Sequence, residues 1–361
     1  MAIENVLAIE LLFNKLSPGK TFHASLQPHL SLFHPELVVK QREARGRVDG
    51  SVDITEYLEG TLLDEPDSRV LVHIKDNIVS GSIQTAEGEK YFIEPSSRHI
   101  KEPHDFHMIT YKLSDVKFNF TNPHTDKGHF CGHESHKEET GYSAKDFDFM
   151  IPKNVNKADG DSIQYSRKKR STSTKKRCTL ALVADYLFYK DINSGEAANA
   201  YNYMISLIQQ IDPLYQAQSM DPSGSDDYKN YGFQIKYLEV VTASNLLTAD
   251  ADADSYKYYV DGHLPEVSDL LTSFAYGDWE DYCLAHLFTN YDFDSGVLGL
   301  AYVASSSTSS VGGVCTKTYK DGTMQTKHTN VGLTSSVNYG RTLLTSELVF
   351  VTGMQKIIKV L

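Results

Sequence analysis

The rhythm of hydrophobic and polar positions changes along the chain. Between residues 21 and 120 apolar positions recur in short alternating runs. Arg69 to Lys75 (RVLVHIK), Ile78 to Ile83 (IVSGSI) and Tyr91 to Glu94 (YFIE) read as strands, the last entered after the turn-forming Glu87-Gly88-Glu89. A period of two with short links predicts antiparallel hairpins. Residues 121 to 177 are polar, rich in His and Lys and short of aliphatic side chains, which predicts a linker. Beyond it Thr179 to Tyr186 (TLALVADY) reads as a buried strand. Glu196 to Gln216 reads as a helix with Met204, Ile208, Ile211 and Tyr215 on one face, kinked or stopped near Pro213. Tyr231 to Val241, Cys283 to Thr289 and Gly296 to Val303 are further strands, and Val267 to Phe274 a short helix. Strands alternating with helices predict an α/β domain with a mostly parallel sheet, set behind a β-rich first block.

The amino terminus contains Leu7, Ala8, Ile9, Leu11, Leu12 and Phe13, interrupted by Glu4 and Glu10 with no basic stretch ahead. An ordinary helix is expected there rather than a signal peptide. No run is apolar for long enough to span a bilayer. The length of 361 residues suits two domains, and 22 Tyr and 16 Phe supply packed cores. A net charge of −12 argues against a nucleic-acid partner, since phosphate binding needs clustered Lys and Arg.

Basic residues do cluster in the linker. Arg167-Lys168-Lys169-Arg170 is followed by Ser171-Thr172-Ser173-Thr174 and Lys175-Lys176-Arg177. Spacing alone supports two readings equally: a solvated or nuclear-import charge run, and a furin-type site cut after Arg170. Asn119-Phe120-Thr121 is a glycosylation sequon. The four cysteines, Cys131, Cys178, Cys283 and Cys315, form no CxxC pair. They allow one or two disulfides or buried thiols.

A family resemblance rests on several strings. Cys178-Thr-Leu-Ala-Leu-Val-Ala-Asp185 follows the basic site. Then come Cys283-Leu-Ala-His-Leu-Phe-Thr289, Tyr291 to Val303 (YDFDSGVLGLAYV), Gly312-Gly-Val-Cys315 and Asn338-Tyr-Gly340. Together they resemble the ADAM metalloproteases of the sheddase branch, nearer the tumour-necrosis-factor converting enzyme than the Kuzbanian type. Glu65 to Asn77 and Tyr91 to Pro95 resemble that branch's prodomain. The resemblance implies residues 1–170 as prodomain and linker ending in a convertase site, and 171–361 as the front of a metzincin catalytic domain. It implies a Cys178–Cys283 disulfide and a free Cys315. It also makes Gly299, Leu300 and Ala301 an edge strand offering main-chain hydrogen bonds to a peptide. A buried core strand would look the same in sequence. The intact family implies zinc, secretory-pathway and cell-surface localisation, a proprotein convertase as partner, and membrane-protein substrates such as cytokine precursors or Notch.

The family's chemistry needs HExxHxxGxxH. Two His at i and i+4 hold zinc with a third, and the Glu takes a proton from bound water. That pattern is absent from the sequence. His133-Glu134-Ser135-His136 has the wrong spacing, and Leu343 to Thr352 (LLTSELVFVT) runs into Gly353-Met354 where His-Glu would follow. The expectation is a chain truncated before the zinc helix, without catalytic zinc or peptidase activity. The alternative is a prodomain-containing short form that chaperones or inhibits a full-length sheddase. His129, Cys131, His133 and His136 share one loop. It reads as a cysteine switch built on Cys131, as an independent metal site, or as a polar loop. Asp250, Asp252 and Asp254 form an acidic loop without the Gly and distal Glu of a calcium site, so a solvated loop is expected.

Overall fold

The alternating strings fold as strands because a pleated chain turns every second side chain to one face. The computed structural model describes residues 7–12, 21–100, 102–115, 176–217, 230–243, 266–293, 297–302, 312–313, 319–320 and 326–336. Within the first block lie β1 (Leu7–Leu12), β2 (Thr21–Pro28), β3 (Phe33–Glu43), β4 (Gly46–Asp49), β5 (Tyr57–Leu62), β6 (Glu65–Lys75), β7 (Ile78–Gln84), β8 (Lys90–Pro95) and β9 (Met108–Lys112). Seven of them form an antiparallel sheet in the order β1-β2-β5-β6-β7-β8-β9. The β6–β7 hairpin turns through Asp76 and Asn77 at φ 49° and 63°. A two-residue turn with both φ positive matches the twist of its strands, and Asp and Asn tolerate it. Phe22 of β2 packs edge-on against Tyr91 of β8, ring centres 5.3 Å apart, although three strands lie between them. The sheet therefore curls around its own core of Phe22, Leu26, Val70, Val72, Ile83 and Ile93.

One expectation fails at the amino terminus: Leu7–Leu12 is a strand, not a helix, paired antiparallel with β2 from Leu7↔Leu26 to Leu12↔Thr21. The edge of β2 satisfies its backbone in a way that no local apolar count reveals.

The second block supplies β10 (Lys176–Ala184), α1 (Ala197–Ala217), β11 (Tyr231–Val241), α2 (Val267–Ala275), β12 (Leu284–Thr289), β13 (Gly299–Ala301), β14 (Tyr319–Lys320), β15 (Thr326–Lys327) and β16 (Val331–Ser335). The two-residue strands β14 and β15 pair with each other. The larger sheet runs β13-β16-β12-β10-β11-β3-β4. β16, β12, β10, β11 and β3 are mutually parallel, and β13 and β4 are antiparallel at the two ends. The mixed, mostly parallel α/β arrangement expected from the sequence is present. Two details differ. The linker ends sooner, since β10 already includes Lys176 and Arg177. The strand expected over 296–303 pairs only through Gly299–Ala301.

A larger difference concerns the division at residue 170. β3 and β4 come from the first block yet complete the sheet of the second, with β3 parallel to β11 from Ile235↔Phe33 to Val241↔Arg42. Helix α1 shows the same joining. It buries Met204, Ile208, Ile211 and Tyr215, as expected, but also Tyr201, Gln209 and Gln210 on other faces. It lies between the two sheets, touching β11 on one side and β6 and β7 on the other. The helix also continues past Pro213 to Ala217. Tyr215 is held against Phe233 of β11, ring centres 4.9 Å apart, and within the helix Gln216 donates to Asp212; together these contacts offset the lost backbone bond.

Asn119, the Cys131 and His cluster, Arg167–Arg170, Asp250 to Asp254, Cys315 and the 343–361 stretch lie outside the described residues.

Candidate functional site

The peptide-binding edge expected at Gly299, Leu300 and Ala301 is β13, the terminal strand of the larger sheet. It pairs antiparallel with β16 through Gly299↔Thr334, Leu300↔Leu333 and Ala301↔Gly332. Ser335 N donates to Leu298 O at 2.7 Å and Tyr302 N to Val331 O at 3.3 Å. Antiparallel bonding alternates along a strand, so Leu300 also turns its main chain inward. Gly299, which is buried, and Ala301, which is partly buried, then turn their N–H and C=O groups away from β16. Two residues of β13 rather than three therefore direct main-chain groups away from the sheet. Gly299 is needed for close approach, because a Cβ there would sit 2.8 Å from the Leu333 carbonyl oxygen. Behind the edge, Leu300 and Tyr302 pack on the cluster that includes Leu270, Leu271 and Phe274 of α2.

The entry to β10 is locked by charge. Arg177 Nη1 donates to Asp212 Oδ1 at 2.9 Å, and Phe233 N donates to the same oxygen at 2.6 Å. Burial pushes the Asp212 carboxyl up, against the pull of Arg177 and its hydrogen bonds. Gly232 leaves room for this pair; a Cβ there would collide with both side chains. Lys176 lies over the Tyr231 ring at 4.7 Å. The second basic run therefore ends inside folded structure. Cys178, next along β10, is disulfide-bonded to Cys283, Cα atoms 5.3 Å apart, as the resemblance implied. The bond joins the neighbouring parallel strands β10 and β12, and Cys283 N donates to Thr179 O at 2.9 Å.

At the other end of β10, Asp185 caps the following turn by accepting from Phe188 N at 2.8 Å. Burial lifts its carboxyl to about 7, against hydrogen bonds from Thr289 and from the Phe188 and Leu187 amides. A carboxyl with a raised folded pKa keeps its proton in the fold after the unfolded chain has lost it. Stability from this group is complete below the unfolded pKa near 4 and is lost as pH rises towards 7. Asp185→Asn removes the titration. Wild type is expected to lose on the order of 4 kcal/mol relative to this variant between pH 4 and 8. Urea midpoints of the two proteins at both pH values test this, and parallel profiles would refute it.

The fit to zinc is poor. Among the described residues no group of three or more His, Cys, Asp or Glu side chains converges as a metal site. Three of the buried histidines face other partners. His29 lies 3.3 Å from Glu59, His73 lies 3.1 Å from Glu56, and His286 Nε2 lies 3.1 Å from the Thr334 hydroxyl. Burial also lowers His286 to about 3, so its ring is neutral. A catalytic zinc needs three convergent protein ligands, and these side chains do not provide them.

A second site escaped the sequence reading: the far edge of the larger sheet, where β3 lies on β11. Glu239 is fully buried there between Arg42 at 2.6 Å and Arg47 at 3.3 Å, and Tyr237 Oη donates to it at 2.6 Å. Burial pushes the Glu239 carboxyl up, but the two guanidiniums and the Tyr237 hydroxyl outweigh it and hold it below the usual range. No local signal announces this cluster, because Arg42 and Glu239 are 197 residues apart.

Comparison with known proteins agrees with this architecture. Residues 174–341 match the Metallo-peptidase family M12, reprolysin type. Human disintegrin and metalloproteinase domain-containing protein 10 is 31% identical over 330 residues, covering 89% of this chain and 40% of the relative. The Caenorhabditis elegans homolog of that protein is 27% identical over 361 residues, covering 89% of this chain and 37% of the relative. The C. elegans homolog of domain-containing protein 17 is 26% identical over 303 residues, covering 81% and 40%. The chain spans less than half the length of these relatives. By its M12 segment and by likeness over 89% of its length, the chain belongs with the disintegrin and metalloproteinase (ADAM) proteins.

Proposed function

We propose that these residues form the prosegment and substrate-binding half of a zymogen-type zinc metalloendopeptidase of the ectodomain-shedding kind. The observation that carries this reading is β13, the antiparallel end strand of the larger sheet, whose Gly299 and Ala301 main chains turn away from β16. An extended peptide of a membrane-protein substrate, such as a cytokine precursor or Notch, adds there as a further strand. In this proposal a proprotein convertase cuts after Arg170, Cys131 serves as the cysteine switch, Asn119 is glycosylated, and the chain passes through the secretory pathway. No helix among the described residues is long and apolar enough to cross a membrane.

The 361 residues alone are proposed to be catalytically silent, since HExxHxxGxxH is absent from them. The purified chain, given zinc and a quenched sheddase peptide, is expected to show no chelator-sensitive turnover. Zinc-dependent turnover by the chain itself would overturn this. A second reading, an inhibitor or chaperone of a full-length sheddase, is favoured by the contacts of the first block with α1 and β11. Gln209 Nε2 donates to Leu58 O at 2.9 Å and Gln210 Nε2 to Leu71 O at 3.2 Å. Co-precipitation of the chain with a full-length sheddase tests it, and no capture by the folded chain would count against it.

A further inference from the structure

The two ends of the larger sheet have different owners. β13 belongs to the M12 segment, whereas β3 and β4 arrive from residues 33–49. We propose that the prosegment is held on the M12 segment by strand addition at the β11 edge. It therefore stays bound after the linker is cut, and among the described residues none of its strands pairs with β13. The inference rests on the reading of the first block as a prosegment.

Three observations carry it. First, the joint is a ladder: β3 meets β11 at Phe33 and, past a register break, pairs from Val38 to Arg42, and Thr242 N donates to Arg42 O at 2.9 Å. Main-chain pairing of this kind gives affinity that does not depend on a single side chain. Second, polar atoms are met across the joint. Tyr201 Oη donates to Lys40 O at 2.7 Å, Gln234 Nε2 donates to Phe33 O at 3.1 Å, and Arg42 binds the buried Glu239. Third, the core is shared. Leu32, Phe33, Tyr57 and Phe92 from the first block sit in one cluster with Ile208 and Phe233 from the second. Separating the blocks would return these apolar side chains to water and leave the Glu239 charge unpaired, so a cut linker alone supplies no driving force for release.

The geometry also separates this joint from the peptide edge. β10, β12 and β16 lie between β11 and β13. Four strand spacings amount to roughly 19 Å. The hairpin and a peptide on β13 can be present together. Beyond the joint, β4 is four residues long and exposed, with Lys40 paired to Asp49 at 2.6 Å. A short charged edge strand stops further strand addition.

The test uses the full chain with a site for a sequence-specific viral protease inserted among residues 150–165. Cutting there does not depend on the convertase reading, so failure at Arg170 would not be mistaken for failure here. After the cut, the two pieces are expected to run together as a one-to-one complex on native mass spectrometry and gel filtration. They should do so even at about 1 M salt, where exposed ion pairs are screened within about 3 Å. In the uncut chain, Val38→Cys with Tyr237→Cys is expected to cross-link in most molecules, because the ladder places these residues opposite each other. Ala301→Cys in place of Tyr237→Cys should give no cross-link to Val38→Cys. Separation of the pieces without denaturant would overturn the proposal. So would absence of the Val38–Tyr237 cross-link in a chain that keeps its native circular dichroism.

Discussion

Glu239→Ala is expected to destabilise the chain by about 3–5 kcal/mol. The carboxylate is fully buried, and the Arg42 side chain beside it is 9% exposed. Removing the acid leaves a guanidinium with almost no water to replace its partner. Arg47 and the Tyr237 hydroxyl lose the same acceptor. A buried pair gains little over an apolar pair of equal volume, so the loss comes from the orphaned charge rather than the missing attraction. Arg42→Met combined with Glu239→Leu should recover most of the stability. Urea midpoints of both variants at an unchanged slope decide this. Hydrogen exchange adds location: the single variant should first lose protection at Val38 to Arg42, where β3 rests on β11. Equal losses in both variants would mean that the cluster acts through packing and not through charge.

Replacing both Cys178 and Cys283 by Ser is expected to cost about 2–5 kcal/mol. The bond closes a loop whose ends are 105 residues apart, which removes much freedom from the unfolded chain. Its loop holds α1, β11 and α2. The double variant is the right comparison, because a single change leaves a reactive thiol able to pair with Cys131 or Cys315. The disulfide-free chain should unfold at lower denaturant with native circular dichroism below the transition. An unchanged midpoint would show that neighbouring strand pairing already constrains the loop. Both variants lie far from β13, so peptide protection of the Gly299 and Ala301 amides should survive wherever the chain stays folded.

Much of the architecture is legible in the strings. The core of β6, β7 and β8 lies in RVLVHIK, IVSGSI and YFIE, because pleating converts alternation directly into two faces. TLALVADY and CLAHLFT are continuous apolar runs, and they become the central parallel strands β10 and β12, covered on both faces. That β13 ends the sheet was legible only through family likeness. A three-residue strand carries too little periodicity to declare whether it is core or edge. The division of labour within it, Gly299 and Ala301 outward and Leu300 inward, depends on its register with β16. LAIELL was misread because its composition suits a helix as well as a strand, and the open side of β2 settled the matter.

The residues alone spell out the local grammar: hairpins first, an α/β block afterwards, a basic run between them, and no HExxHxxGxxH anywhere in the 361 residues. It took the folded chain to show that residues 33–49 complete the sheet of the second block, that α1 is buried from both sides, and that Arg42 meets Glu239. The reason is range. Period and turn chemistry act over a few residues. The choice of which strand covers the edge of β11 is made across about 200 residues, by whichever segment can satisfy its backbone and bury its apolar face there.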